Sequence, residues 1–153
     1  MLLYICKAIA SKLKQFNNHL NILVMVKKMF VAMNVSHKLT EAQIEDAKSS
    51  LGVVDFVFPS KEVHEKISNI SPEMESREIR ELALDLFSEA WEQGCDYVFI
   101  AGQPELVYYF LTKNKGSITA VNSVTSRVSV EVEKDGVVTK TNQFQHVLWR
   151  ELL

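Results

Sequence analysis

From Met29 onward, apolar and polar positions fall into blocks of changing period. Met29-Phe30-Val31-Ala32-Met33 is a continuous apolar run, the pattern of a strand buried on both faces in a parallel sheet. A loop, Ser36-His37-Lys38, follows. Thr40 and Gln43 then make a capping box, and Ala42, Ile44, Ala47 and Leu51 recur at helical spacing until Gly52, which predicts a helix over 40–51. Val53 to Phe58 forms a second strand stopped by Pro59. The piece from Lys61 to Ser68 predicts at most a short helix. Ser71-Pro72 opens a longer one, in which Ile79, Leu82, Ala83, Leu86 and Ala90 repeat every 3.6 residues and Gly94 closes the end.

Tyr97 to Ala101 is a third buried strand, and Gly102-Gln103-Pro104-Glu105 turns directly into a helix ending near Lys113 to Gly116. Ile118 to Val124 predicts strand four. The period then becomes two at Val128, Val130 and Val132, and Asp135-Gly136 is a hairpin signal before the partner strand from Val137. Strands alternating with helices imply right-handed crossovers and a three-layer α/β fold, with a mostly parallel sheet and a C-terminal antiparallel hairpin. Such sheets hold ligands beyond the carboxyl ends of their strands. With strand one between strands two and three, the Ser36-His37-Lys38 loop meets the Gly102 to Glu105 turn, and a loop over Ser123 to Arg127 borders both.

The 153 residues suit one compact domain, and only 5 Gly and 3 Pro leave no room for a flexible linker or repeat. Seventeen basic residues against 19 acidic ones leave a net charge of −2, which disfavours a grip on long nucleic acid through its phosphates. That figure hides an asymmetry. Residues 1–28 carry Lys7, Lys12, Lys14, Lys27 and Lys28 and no acid, so residues 29–153 hold 12 basic against 19 acidic side chains, a net of −7. The apolar stretch from Met1 to Ala10 is broken by Lys7 and makes a poor secretory signal, and no run approaches the roughly 20 apolar residues of a membrane span. Cys6 and Cys95 are too few and too far apart for a thiolate metal cluster or a disulfide framework. Free thiols and a cytoplasmic setting are the expectation, with no membrane partner.

The Gly102 turn lacks both the dinucleotide fingerprint and the phosphate-loop lysine, which removes the main support for a nicotinamide enzyme or an ordinary ATPase. A helix beginning at Pro104 still aims unpaired N–H groups at the strand end, where an anion can sit; the plainer reading is a tight turn capped by Gln103. Lys38 and Arg127 are placed to add a point charge and a planar fork for a phosphate, though each alone reads as a solvated charge. Ser36, Thr125 and Ser126 offer hydroxyls at the same rim. His37, beside Lys38, is a candidate proton acceptor. His146 shares an alternating face with Phe144 and Leu148 and reads first as a packed strand residue, and His64 faces water. Glu41, Glu45 and Asp46 read as a solvated helix face. No His pair or carboxylate pair has metal-site spacing, so no metal and no cofactor are expected.

Ser36-His37-Lys38-Leu39-Thr40 with Gln43 to Lys48, the strand-end Gly102-Gln103, Val121 to Val130 with Thr125-Ser126-Arg127, and the closing Phe144-Gln145-His146-Val147 together resemble small CRISPR-associated proteins of the Csx-twenty family. The likeness runs through residues 29–150 in order. Residues 1–28 fall outside it, which suggests an N-terminal extension or an upstream start codon, with Met29 the alternative start and 29–153 the single domain. The resemblance implies a Rossmann-like fold related to CARF domains, a homodimer, and ring-nuclease activity on cyclic oligoadenylate, chiefly cyclic tetra-adenylate, in type III CRISPR signalling.

The implied reaction is metal-independent attack by an adenosine 2′-hydroxyl on its neighbouring phosphorus, leaving a 2′,3′-cyclic phosphate. In that scheme Lys38 and Arg127 neutralise phosphate, Ser36, Gln103 and Thr125 orient the ribose-phosphate, and His37 assists proton removal. Gly102, Pro104 and Ser126 complete the binding rim, and His146 is the reserve candidate. The alternatives are a sensor or sponge that holds the ring uncut, and a structural dimerisation domain with no nucleotide ligand.

Overall fold

The computed structural model describes residues 26–152. β1 (Lys27–Ala32), β2 (Val53–Val57), β3 (Tyr97–Ile100), β4 (Thr119–Lys134) and β5 (Val137–Glu151) form one sheet in the order β2-β1-β3-β4-β5. The first four strands are parallel, and β5 returns antiparallel to β4. The helices are α1 (Glu41–Asp46), widening into a π turn over Ala47–Leu51, then α2 (Lys61–Ser68), α3 (Ser76–Glu92) and α4 (Pro104–Asn114).

Strand alternation divides the buried side chains between two layers. Phe30, Ala32, Val98, Ile100 and Ala120 point to the face covered by α2, α3 and α4, where they meet Val63, Leu82, Leu86 and Phe110. Met29, Val31, Tyr97, Phe99 and Val121 point to the opposite face, against Ala47, Leu39 and Leu51 of the α1 region and Trp149 of β5. Burial on both sides explains the uninterrupted apolar runs of β1 and β3. Helices on both faces make the three-layer α/β fold read from the sequence.

β1 begins two residues before the apolar run. The Lys28 N–H donates to Asp96 Oδ2 at 2.9 Å and the Lys27 ammonium reaches the Tyr97 hydroxyl at 3.2 Å. Lys7, Lys12, Lys14, Cys6 and the stretch from Met1 to Ala10 lie outside the described residues. Cys95 is free and buried, and burial pushes its thiol up from the ordinary range. α3 starts at Ser76 rather than Ser71, because Glu75 and Glu78 build a reciprocal capping box while Ser71 to Met74 form a separate turn.

The larger difference is at β4. It runs unbroken from Thr119 to Lys134, so Ser123 to Arg127 are strand residues and not a loop. β-branched residues continue through this stretch, and β5 pairs along its whole length to Lys134↔Val137. Asp135 (φ 54°) and Gly136 (φ 75°) close the ribbon with both central residues in the left-handed region, as a two-residue hairpin turn requires. Only Thr119 to Val121 pair with β3. The rest of the ribbon projects past the carboxyl rim of the parallel sheet.

One irregularity matters for the site. Val124 pairs with Leu148 but Thr125 pairs with His146, which leaves Val147 as an extra residue, a β-bulge. The bulge breaks the alternation, so His146 shares its face with Trp149 and not with Leu148. The two rings lie 5.1 Å apart, centroid to centroid.

Candidate functional site

A cavity of about 450 Å³ opens where β1 and β3 end. Met33 and Asn34 follow β1, and Ala101 and Gly102 follow β3; Phe99 contributes apolar wall, and His37, Lys38 and Gln43 supply polar groups. Because β1 lies between β2 and β3, this is the crevice where successive connections leave the sheet in opposite directions, the usual ligand position in open α/β folds.

Local hydrogen bonds hold the loop that carries His37 and Lys38. Asn34 Oδ1 accepts from the Ser36 N–H and hydroxyl at 2.9 and 2.7 Å, and the Asn34 carbonyl accepts the His37 N–H at 2.9 Å. α2 braces the loop from outside: the Ser68 hydroxyl accepts the Val35 N–H at 2.8 Å, and the His64 Nε2–H donates to the Met33 carbonyl at 2.8 Å. His64 is therefore a half-buried brace and not the water-facing residue its charged neighbours suggest. Gly102 has a φ of 144°, which side chains rarely allow, so the β3 turn reaches the rim through glycine.

The structure brings His37, Lys38 and Gly102 together at the cavity. The other rim residues do different work. Ser36 is engaged by Asn34. Gln103 caps α4, its Oε1 accepting the Leu106 N–H at 2.8 Å, and Pro104 is the first helical residue. Thr125, Ser126 and Arg127 lie on the exposed ribbon, and the Arg127 guanidinium stacks 5.1 Å from the Phe144 ring centroid. Arg127 is four strand residues beyond Ser123, roughly 13 Å further from the sheet. Two turns converge, and the third contribution comes from within a strand.

That contribution is a chain of hydrogen bonds. Gln43 sits on the first turn of α1, where the Thr40 N–H donates to its Oε1 at 2.9 Å. This fixes the amide so that Nε2 donates to the Ser123 hydroxyl at 3.1 Å. Ser123 Oγ lies 2.7 Å from His146 Nδ1, and His146 Nε2 lies 3.0 Å from Asp46 Oδ2. The Trp149 N–H also donates to Asp46 Oδ2 at 2.9 Å, and its indole N–H donates to the Gln43 carbonyl at 2.9 Å. The His146 side chain is only 3% exposed. Burial works against the Asp46 charge, but hydrogen bonds from His146, Ser50 and the Trp149 amide hold its carboxyl below the usual aspartate value.

Asp46 is thus a partner of β5 and not part of a solvated face. Helical spacing alone offered one hint, since Gln43 and Asp46 are three residues apart and share a side of α1. His146 was visible only as a strand residue, because the bulge that turns it inward depends on pairing with β4. Among the described residues no group of three His, Cys, Asp or Glu side chains gathers to hold a metal, and no helix is long and apolar enough to cross a membrane.

A second hollow, about 490 Å³, lies on the outer surface between α3 and α4 and is lined by Arg80, Tyr108, Tyr109 and Lys113. Arg80 stacks on Tyr109 and Lys113 on Phe87. It is remote from the strand ends and from the buried network.

Residues 27–150 match the family described as the Uncharacterized protein MJ1673 family. The chain belongs to the MJ1673 family. A protein of Methanocaldococcus jannaschii, Uncharacterized protein MJ1673, is 32% identical over 128 residues, covering 81% of this chain and 95% of that protein. No solved structure matches the chain. The region shared with the MJ1673 family contains every residue of the cavity and of the network running from Gln43 to Asp46.

Proposed function

We propose that this MJ1673-family protein is a ring nuclease that opens cyclic oligoadenylate, chiefly cyclic tetra-adenylate, and so ends type III CRISPR signalling in the cytoplasm. The observation that carries the reading is the meeting of His37, Lys38 and Gly102 at one switch-point cavity. Lys38 supplies a cation for phosphate, and the glycine turn lets backbone come close to it. The apolar wall at Met33 and Phe99 suits a nucleobase. A four-nucleotide ring exceeds one cavity of this size, which fits a homodimer presenting two equivalent cavities to a ligand of matching symmetry.

The nucleophile in this reaction is the substrate's own 2′-hydroxyl. The protein then has to hold it in line with the P–O5′ bond and balance the charge growing on the phosphorus oxygens. Orientation alone can contribute about 7–11 kcal/mol to such a step, and a fixed cation adds to it. Lys38 takes the phosphate role and His37 stands at the rim beside it. Arg127, on the ribbon, is a further phosphate contact for the part of the ring outside the cavity.

Incubation of the purified protein with cyclic tetra-adenylate in EDTA tests the reading. Linear products ending in 2′,3′-cyclic phosphate are expected. A ring recovered intact but bound would replace the nuclease by a sensor or sponge, a reading favoured by the presence of one cation, Lys38, among the cavity residues. A ring neither bound nor cut would leave a structural dimerisation domain.

A further inference from the structure

The Asp46–His146–Ser123 chain is more specific than packing requires. An ionised carboxylate only accepts, so the 3.0 Å contact to Asp46 Oδ2 places a proton on His146 Nε2. In the singly protonated ring Nδ1 is then an acceptor, and the Ser123 hydroxyl at 2.7 Å must donate to it. Ser123 Oγ also accepts from Gln43 Nε2, and Gln43, rather than Ser123 itself, lines the cavity. In that tautomer the hydrogen bonds run one way, from Gln43 at the cavity wall through Ser123 and His146 to the Asp46 carboxylate.

We propose that Asp46, His146 and Ser123 form a proton relay serving the cavity, in which His146 receives, through Ser123, the proton of the hydroxyl that attacks phosphorus. This rests on the reading of the cavity as a phosphodiester-cleaving site. As the 2′-oxygen bonds to phosphorus, its proton passes by way of one water beside Gln43 to Ser123 Oγ while the Ser123 proton passes to His146 Nδ1. The P–O5′ bond breaks, the leaving 5′-oxygen takes a proton from water, and the imidazolium, stabilised by Asp46, returns its proton to solvent. No atom or electron is gained. His146 and Asp46 act through Ser123 and are positioning residues. Gln43, oriented by Thr40, aligns Ser123 with the cavity.

Two amide replacements separate a relay from a brace. His146→Gln retains a donor towards Asp46, and His146→Asn retains a polar group towards Ser123, but neither accepts a proton. Single-turnover cleavage of cyclic tetra-adenylate is expected to fall on the order of 10²- to 10⁴-fold in both, with ring affinity within about threefold of wild type. Ser123→Ala, which loses one hydroxyl and leaves the His146 to Asp46 contact in place, covers the case in which the histidine variants do not fold, and the same loss is expected. Nitrogen NMR of the ligand-free protein should show His146 in the Nε2–H form, with the Nδ1 resonance moved by Ser123→Ala. Cleavage within about threefold of wild type in either amide variant or in Ser123→Ala, or an Nδ1–H ring, would overturn the relay alone. A wild-type protein that leaves the ring uncut while showing the Nε2–H form would instead overturn the cleavage reading, and the relay's catalytic role with it.

Discussion

On the side of the sheet covered by α2, α3 and α4, the contacts are apolar: Leu82, Leu86 and Phe110 pack on Phe30, Val98 and Ile100. On the side covered by α1, a smaller apolar cluster around Phe99 and Trp149 is joined to a polar one, in which Gln43 and Asp46 of α1 hold Ser123, His146 and Trp149. The first face gains stability from area removed from water, which is tolerant of direction. The second depends on hydrogen bonds that must each find a partner once buried. The cavity lies at the end of the second face. If the cavity is the cleavage site proposed above, substitutions on the two sides should separate stability from ring binding.

The largest loss of stability is expected from the apolar side. Leu86 is fully buried, and Leu86→Ala should cost about 2–5 kcal/mol in urea denaturation while leaving ring affinity unchanged at temperatures where the protein is folded. A loss of affinity equal to that of a cavity variant would break the division. Next comes Asp46→Ala, which leaves the His146 Nε2–H and the Trp149 N–H without their acceptor and should cost roughly 1–3 kcal/mol, accompanied by loss of cleavage.

The same residue gives a pH dependence. Because the Asp46 carboxyl is lowered in the folded protein, its contribution is present above the unfolded aspartate value, near 3.8, and disappears as the pH falls through the lower folded value. The stability difference between wild type and Asp46→Asn should thus be smaller at acid pH than at neutral pH. A difference that grows on acidification would mean that the carboxyl is not held in its charged form.

Lys38→Ala should move stability by less than about 0.5 kcal/mol, since Lys38 is exposed, yet weaken ring binding by roughly tenfold or more, measured by calorimetry. Arg127→Ala is expected to have the smallest effect, less than that of Lys38→Ala, because its guanidinium lies on the ribbon against Phe144. An Arg127 effect exceeding that of Lys38 would shift the phosphate site from the cavity to the ribbon.

Helix positions and ends were largely legible in the chain. The 3.6-residue spacing of Ile79, Leu82, Leu86 and Ala90 marked α3, and the capping box at Thr40 and Gln43 marked the start of α1. Gly52 and Gly94, both at positive φ, ended their helices where expected. The meeting of the β1 and β3 loops was also anticipated, since strand order alone places them side by side. Arg127 was misplaced because a polar stretch of Thr, Ser and Arg looks like a loop, whereas β5 pairing keeps it in a strand.

What the sequence by itself determined is what neighbours in the chain decide: helix faces, caps, the Asp135-Gly136 turn and the alternation of strand and helix, all set by periodicity and by local backbone preference. Tertiary structure alone decided which polar side chains would meet. His146 contacts Asp46 across 100 residues of chain, and it does so because Val147 bulges out of the ladder and turns the following strand by one position. A register shift of this kind leaves no trace in local periodicity, since its energy comes from the partner strand and the helix it packs against.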